Sequence, residues 1–168
     1  TGIDGKTTLA LKNGAKTYTL GTVDYKVSDT AVRKAITGVE DGVKEEEIKL
    51  AREESSGEYA VAKTSIGKKV SFKMTSWVPV WTGYDRYYYA LNDTYSDGLT
   101  FNADSVKVTV GGKALTAGKD YKVTTEAGKF HILFAPTADN SSDIIAAKTT
   151  FPVGAEVLVT YDMTVNKN

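Results

Sequence analysis

The chain has 168 residues, with lysine plus arginine balancing aspartate plus glutamate at 21 each, and it contains no cysteine. That balance provides no global field for a polyanion, so nucleic acid is not an expected partner, and disulfides, thiolate metal sites and cysteine nucleophiles are excluded. At this length folding can bury roughly 70% of the extended surface, enough for one domain, or one with an appendage, without a metal or a disulfide.

No apolar run is long enough to span a membrane. The first residues, TGIDGKTT, lack the charged and apolar regions of a signal peptide, so an exported form is expected to have lost its leader. Lys6 to Leu11 and Lys16 to Leu20 flank Asn13-Gly14, which reads as a hairpin. Gly5-Lys6-Thr7 is not the end of a phosphate-binding loop, because the glycine that the loop needs five residues earlier has no place in this chain.

Asp29 can cap a short helix over Thr30 to Ile36 that stops at Gly38, with Val32, Ala35 and Ile36 as its apolar stripe. Residues 1–43 are therefore expected to be an N-terminal segment of hairpin plus short helix, either the end of a preceding domain or an extension. Lys44 to Glu54 is ambiguous. Its composition favours helix, and Glu45 with Lys49 has i,i+4 spacing. Ile48 and Leu50 nevertheless alternate with Lys49 and Ala51, and strand is the expectation adopted.

From Val70 onward the alternation is plain. Val70, Phe72 and Met74 share one face and leave Lys73 towards solvent. The stretch Trp77 to Phe101 breaks at Pro79 and Gly83, then resumes with Tyr87, Tyr89 and Leu91 on one face, and closes on Asn92-Asp93-Thr94 and Asp97-Gly98. Val106, Val108 and Val110 alternate up to the turn Gly111-Gly112. Tyr121 and Val123 continue the pattern to Ala127-Gly128. Phe130, Ile132 and Phe134 then point inward, which leaves His131, the single histidine, as an outward strand residue rather than a catalyst.

Pro136 to Asp143 is a polar loop whose Asp139, Asn140, Ser141 and Asp143 offer oxygen ligands but lack the glycine and terminal glutamate of an EF-hand. Asn92-Asp93-Thr94 and Asn140-Ser141-Ser142 fit the glycosylation sequon, a short pattern frequent by chance. Val157, Val159, Tyr161, Met163 and Val165 form the last strand face. Short strands at regular turn spacing predict an all-β sandwich over residues 44–168, with at most short helices near 30–37 and 143–147.

Five motifs occur in order: SIGKKVSFKMT, VPVWTGYDRY, DTYSDGLTF, VKVTVGGKALTAGKDYKVT and PVGAEVLVTYDMTVNKN, from Ser65 to Asn168. Together they resemble the isopeptide-forming fimbrial domain of Gram-positive pilins, and D-T-x-x-x-G-L-T-F is the most specific of them. The resemblance implies an immunoglobulin-like, collagen-adhesin-like sandwich that lacks its final strand here. It also implies a cell-surface or pilus location, and partnership with other pilus subunits or domains of the same protein. It implies a self-made amide between a lysine and an asparagine, with no cofactor, no metal and no enzymatic turnover.

Such a bond has physical requirements of its own. The amine must lose its charge to attack, and burial favours that. A buried carboxyl must polarise the amide and carry the proton to the departing ammonia. The fold must hold the reactants together. By the resemblance the carboxyl is Asp93, and the lysine lies on the first strand, ahead of the SIGKKVSF segment. Lys49 is the first choice there, with Lys44 and Lys63 as alternatives. By the same resemblance the acceptor lies on a last strand, at Asn168 or at an asparagine beyond it, although Asn166 and Asn168 fall opposite Val165 in simple alternation. The alternative reading is a carbohydrate- or host-protein-binding module without such a bond, using Trp77, Trp81 and Tyr84. Hydrolysis would need converging carboxylates or a nucleophile with its base, and no such pairing is present.

Overall fold

Alternation of apolar and polar side chains builds two antiparallel sheets that face each other across a single core. A computed structural model describes the backbone of residues 6–13, 16–24, 31–40, 49–53, 57–61 and 64–168, and the side chains of 31–40 and 64–168. In chain order the strands are β1 (Lys6–Asn13), β2 (Lys16–Asp24), β3 (Arg33–Val39), β4 (Lys49–Glu53), β5 (Gly57–Val61), β6 (Lys69–Trp77), β7 (Ala90–Thr94), β8 (Leu99–Val110), β9 (Lys113–Ala114), β10 (Tyr121–Glu126), β11 (Lys129–Phe134) and β12 (Glu156–Val165). One sheet has the order β3-β6-β12-β8-β9 and the other β10-β11-β7. β1 pairs with β2 as the Asn-Gly signal predicts, and β4 pairs with β5, so Lys49 to Glu53 is strand as expected.

The inward faces are those that alternation assigned. Val70, Phe72 and Met74 of β6, Val106, Val108 and Val110 of β8, Phe130, Ile132 and Phe134 of β11, and Val157, Val159, Tyr161 and Met163 of β12 are all buried. Phe101 stacks on Phe130 with 4.0 Å between ring centroids, and Tyr89 stacks on Phe134 at 4.7 Å. The first contact joins the two sheets and the second lies within one of them, and both add to the area they remove from water. Gly128 closes the β10–β11 turn at φ 69°. Its carbonyl accepts from Tyr95 N at 2.8 Å, and a Cβ there would stand 3.4 Å from the Tyr95 carbonyl. Glycine is the residue for that backbone.

Two expectations are corrected. The segment read as a helix near 30–37 is strand β3, antiparallel to β6, with Arg33 opposite Thr75 and Val39 opposite Val70. The sheet thus begins within the stretch assigned to the N-terminal segment 1–43, ahead of residue 44. The cause is a bulge: Ile36 faces Phe72 and Gly38 faces Ser71, which leaves Thr37 as the extra residue. Near 143–147 the chain makes successive turns over residues 144–150 instead of a helix, one of them closed by Phe151 N donating to the Ala147 carbonyl at 3.0 Å.

The polar loop before those turns is pinned from inside. Ser142 Oγ accepts from Tyr89 N at 3.1 Å and donates to the Phe134 carbonyl. Asp143 Oδ1 accepts from Tyr87 N and Ile145 N, and Arg86 approaches both Asp139 and Asp143. Their oxygens are thus engaged by N–H donors and a guanidinium. Ser142→Ala removes a buried acceptor and donor together. It should cost about 1–2 kcal/mol, read as a lower midpoint in urea with an unchanged slope; an unchanged midpoint would mean that the loop is held by packing alone.

Candidate functional site

Asp93 continues the inward phase of Tyr89 and Leu91 on β7, and it pairs across the ladder with Phe130 of β11. Phase alone therefore directs its carboxylate into the sandwich, where it is 8% exposed. A charge in that position is costly unless it is paired and hydrogen-bonded. Both conditions are met.

The cation is Lys34. On β3 it stands opposite Met74, whose side chain points into the core, and residues directly opposite on neighbouring strands share a face. Its ammonium reaches across to the facing sheet, 2.8 Å from Asp93 Oδ1 and 2.7 Å from Oδ2. It also lies 5.0 Å from the centroid of the Phe72 ring, within cation–π range. With 36% exposure of its side chain, Lys34 is the partly open member of the pair.

The third member comes from β12. Tyr161 is inward, 1% exposed, and donates its hydroxyl to Asp93 Oδ2 at 2.6 Å. Its ring stacks on Phe72 at 5.4 Å and meets Phe130 edge-on at 5.0 Å. Around Tyr161 the β12–β8 ladder shifts register, passing from Thr160 opposite Lys107 to Asp162 opposite Asn102. Ser105 Oγ of the bulged strand accepts from Asp162 N at 2.8 Å there. Burial first, and then the Asp93 carboxylate, push the Tyr161 phenol well above the usual tyrosine range. The phenol therefore remains a hydrogen donor. Among the described residues no buried side-chain nitrogen or oxygen lacks a partner.

The arrangement places an amine and a carboxylate in direct contact, walled by Phe72 and Tyr161, at the margin of an aromatic core. Proton transfer from Nζ to the carboxylate would generate both a nucleophile and an acid in one step, with no change in the proton count of the pair.

No protein-family model matches the sequence, and no curated protein matches it. Solved structures do match. The T6 backbone pilin of serotype M6 Streptococcus pyogenes aligns over 97% of this chain and 33% of its own, at 21% identity and a TM-score of 0.53. The full-length major pilin RrgB from Streptococcus pneumoniae aligns over 92% of this chain and 25% of its own, at 20% identity and a TM-score of 0.56. BcpA, the major pilin subunit of Bacillus cereus, aligns over 96% and 38%, at 14% identity and a TM-score of 0.54. The fold is pilin-like. At these identities the likeness is one of fold, and the chain spans between a quarter and two fifths of those pilins.

In this pilin-like domain Asp93 is buried and paired with a lysine, and that lysine is one the sequence reading passed over. Lys49 lies on β4, and its side chain falls outside the described residues, as do Lys44 and Lys63 altogether. The signal for Lys34 was the alternation of Lys34 with Ile36, hidden by the helical spacing of Val32, Ala35 and Ile36.

Among the described residues, the side chains of Asn92, Asn102, Asn140 and Asn166 are engaged elsewhere. Asn166 Nδ2 donates to the Asp97 carbonyl and Thr100 Oγ1, Asn168 N donates to Asn166 Oδ1, and Asn168 is exposed. Asn102 donates to Thr164 Oγ1, Asn140 accepts from Lys122, and Asn92 meets His131 on the outer face. His131 also has Glu126 3.5 Å away, so it has partners that sequence proximity did not suggest. Of the rings considered for recognition, Trp81 packs against the core and donates Nε1–H to the Phe151 carbonyl at 3.0 Å, and Arg33 lies over Trp77 at 5.6 Å. Tyr84 alone of the three is largely open, at 46% exposure.

Proposed function

We propose that the chain is a structural domain of a Gram-positive pilus subunit or wall-anchored surface protein, stabilised by an amide bond between Lys34 and an asparagine side chain. The observation that carries this reading is the contact of Lys34 Nζ with both oxygens of buried Asp93. Of the two acceptors expected, Asn168 is exposed, so the proposed acceptor is the other: an asparagine beyond it, in a chain that runs past Asn168. Partners are other subunits of the same fibre or other domains of the same protein, outside the cell. Among the described residues no helix is long and apolar enough to cross a membrane.

The chemistry uses only this chain's groups and an amide. One ammonium proton passes from Lys34 Nζ to Asp93, and the freed lone pair attacks the asparagine Cγ while the Asp93 carboxyl polarises the amide oxygen. The C–N bond to the side-chain nitrogen breaks. That nitrogen departs as ammonium, carrying the proton held by Asp93 and one from the attacking amine, so the carboxylate is restored. Each molecule reacts once, which makes the process maturation and not enzymatic turnover. Holding the groups in contact replaces an encounter that solution would make improbable, and such positioning is equivalent to about 10⁵ M or more.

The test is the intact mass of a chain that runs past Asn168. Wild type is expected to be lighter by one ammonia, and Lys34→Arg, which keeps the charge and removes the primary amine, is expected to have its full sequence mass. Loss of ammonia that persists in Lys34→Arg would assign the bond to another lysine.

A further inference from the structure

We infer that Tyr161 is a positioning residue for this maturation: its hydroxyl decides which oxygen of Asp93 takes the proton from Lys34. The inference rests on the proposed bond and adds to it a choice between two atoms. Lys34 Nζ reaches both carboxylate oxygens almost equally, at 2.8 Å and 2.7 Å, so the lysine alone does not discriminate between them. Tyr161 does. Its hydroxyl donates at 2.6 Å to Oδ2 only.

An oxygen that already accepts two hydrogen bonds is a poorer base than its neighbour that accepts one. The transferred proton therefore resides on Oδ1, and Oδ2 stays the carbonyl-like acceptor of the phenol. That assignment fixes the direction in which the acidic O–H can point, and so the place where the amide oxygen of the asparagine must arrive. The phenol cannot exchange roles, because burial and the adjacent carboxylate keep it protonated.

The ring is well located for the task. Phe72 stacks on one face at 5.4 Å, and Phe101 and Phe130 meet it edge-on at 5.9 Å and 5.0 Å. Phe72 also underlies the lysine ammonium, so one aromatic plane locates both groups that act on Asp93. Among the described residues, the titratable side chains that meet Asp93 are Lys34 from β3 and Tyr161 from β12, and its ladder partner on β11 is the apolar Phe130.

Tyr161→Phe isolates the hydroxyl, because the ring and its packing remain. Chains that run past Asn168 would be collected unfolded in urea, before reaction, then diluted into buffers of graded pH, and the loss of ammonia followed by intact mass against time. The acid limb of the rate should lie at higher pH in Tyr161→Phe than in wild type, because the hydroxyl that donates to Oδ2 is gone. The rate on the plateau should fall about tenfold, because the O–H is no longer confined to one side. Tyr161→Leu, which also removes the ring, should be slower still.

The same plateau rate and the same acid limb in Tyr161→Phe, with bond formation intact, would overturn the role of Tyr161 while leaving the amide bond in place. A faster plateau would overturn it equally. A wild type that keeps its full mass would remove both the bond and this inference. A merely structural hydroxyl would lower the melting temperature and leave the pH limb where it was.

Discussion

Asp93→Ala is expected to produce a folded, unlinked and markedly weakened protein. The substitution removes the acceptor of the buried Tyr161 hydroxyl and the counter-charge of Lys34. Lys34 is about one third open to water, so most of its loss is recovered by hydration, and the pair itself counts for little. The stranded phenol is the larger part, and together they amount to about 2 kcal/mol. In a chain long enough to form the amide, loss of the covalent link adds about 3 kcal/mol, by analogy with the removal of a disulfide. The two parts can be separated by melting two lengths of protein. The chain ending at Asn168 should lose only the first, and the longer chain both. Equal losses at both lengths would mean that Asp93 acts through pairing alone.

Phe130→Ala is the second large effect. Phe130 is fully buried, stacks on Phe101 and meets Tyr161 edge-on. Truncation leaves a cavity between the sheets, and substitutions of this kind cost about 3–5 kcal/mol. Because Phe130 is the ladder partner of Asp93, relaxation around the cavity also loosens the carboxylate. The expected result in chemical denaturation is a midpoint far below wild type, and in the longer chain a slower loss of ammonia. A loss below about 1 kcal/mol would show that Phe101 and Tyr95 close the gap, contrary to the density expected of such a core.

Most of the fold was legible because most of the strands obey a period of two. β6, β11 and β12 carry unbroken inward runs such as Phe130, Ile132 and Phe134, and these also fix register. Asp93 was singled out through the motif that contains it, while its phase with Tyr89 and Leu91, which buries it, was hidden by the turn chemistry of Asn92-Asp93-Thr94. β3 was not legible. Its inward residues are Lys34, Ile36 and Val39, and the extra residue Thr37 breaks the parity, so Val32, Ala35 and Ile36 display a helical spacing by coincidence. The inward lysine made the reading harder still, since a charge on a core face runs against the pattern that alternation detects.

The choice of Lys49 had a related cause. The run Lys44 to Glu54 matched the place where the resemblance puts a first strand, and β4 is indeed strand. Its partner is β5, however, while the strand beside β6 is β3. Which of two short strands enters a sheet is decided by long-range pairing and by what the facing sheet offers. Here β3 is the strand that pairs with β6 and carries Lys34 to Asp93. Neither fact is written in the local sequence of either strand.

In the proposed maturation Lys34 becomes covalently joined to an asparagine side chain. The most direct measurement is proteolysis of the mature chain that runs past Asn168, followed by fragment sequencing in a mass spectrometer. One branched fragment is expected, in which a peptide containing Lys34 is joined to a peptide containing an asparagine beyond Asn168, with the loss of one ammonia. A set of unbranched peptides of full mass would contradict it, as would a branch at Lys49 or the loss of water between Lys34 and Asp93 themselves.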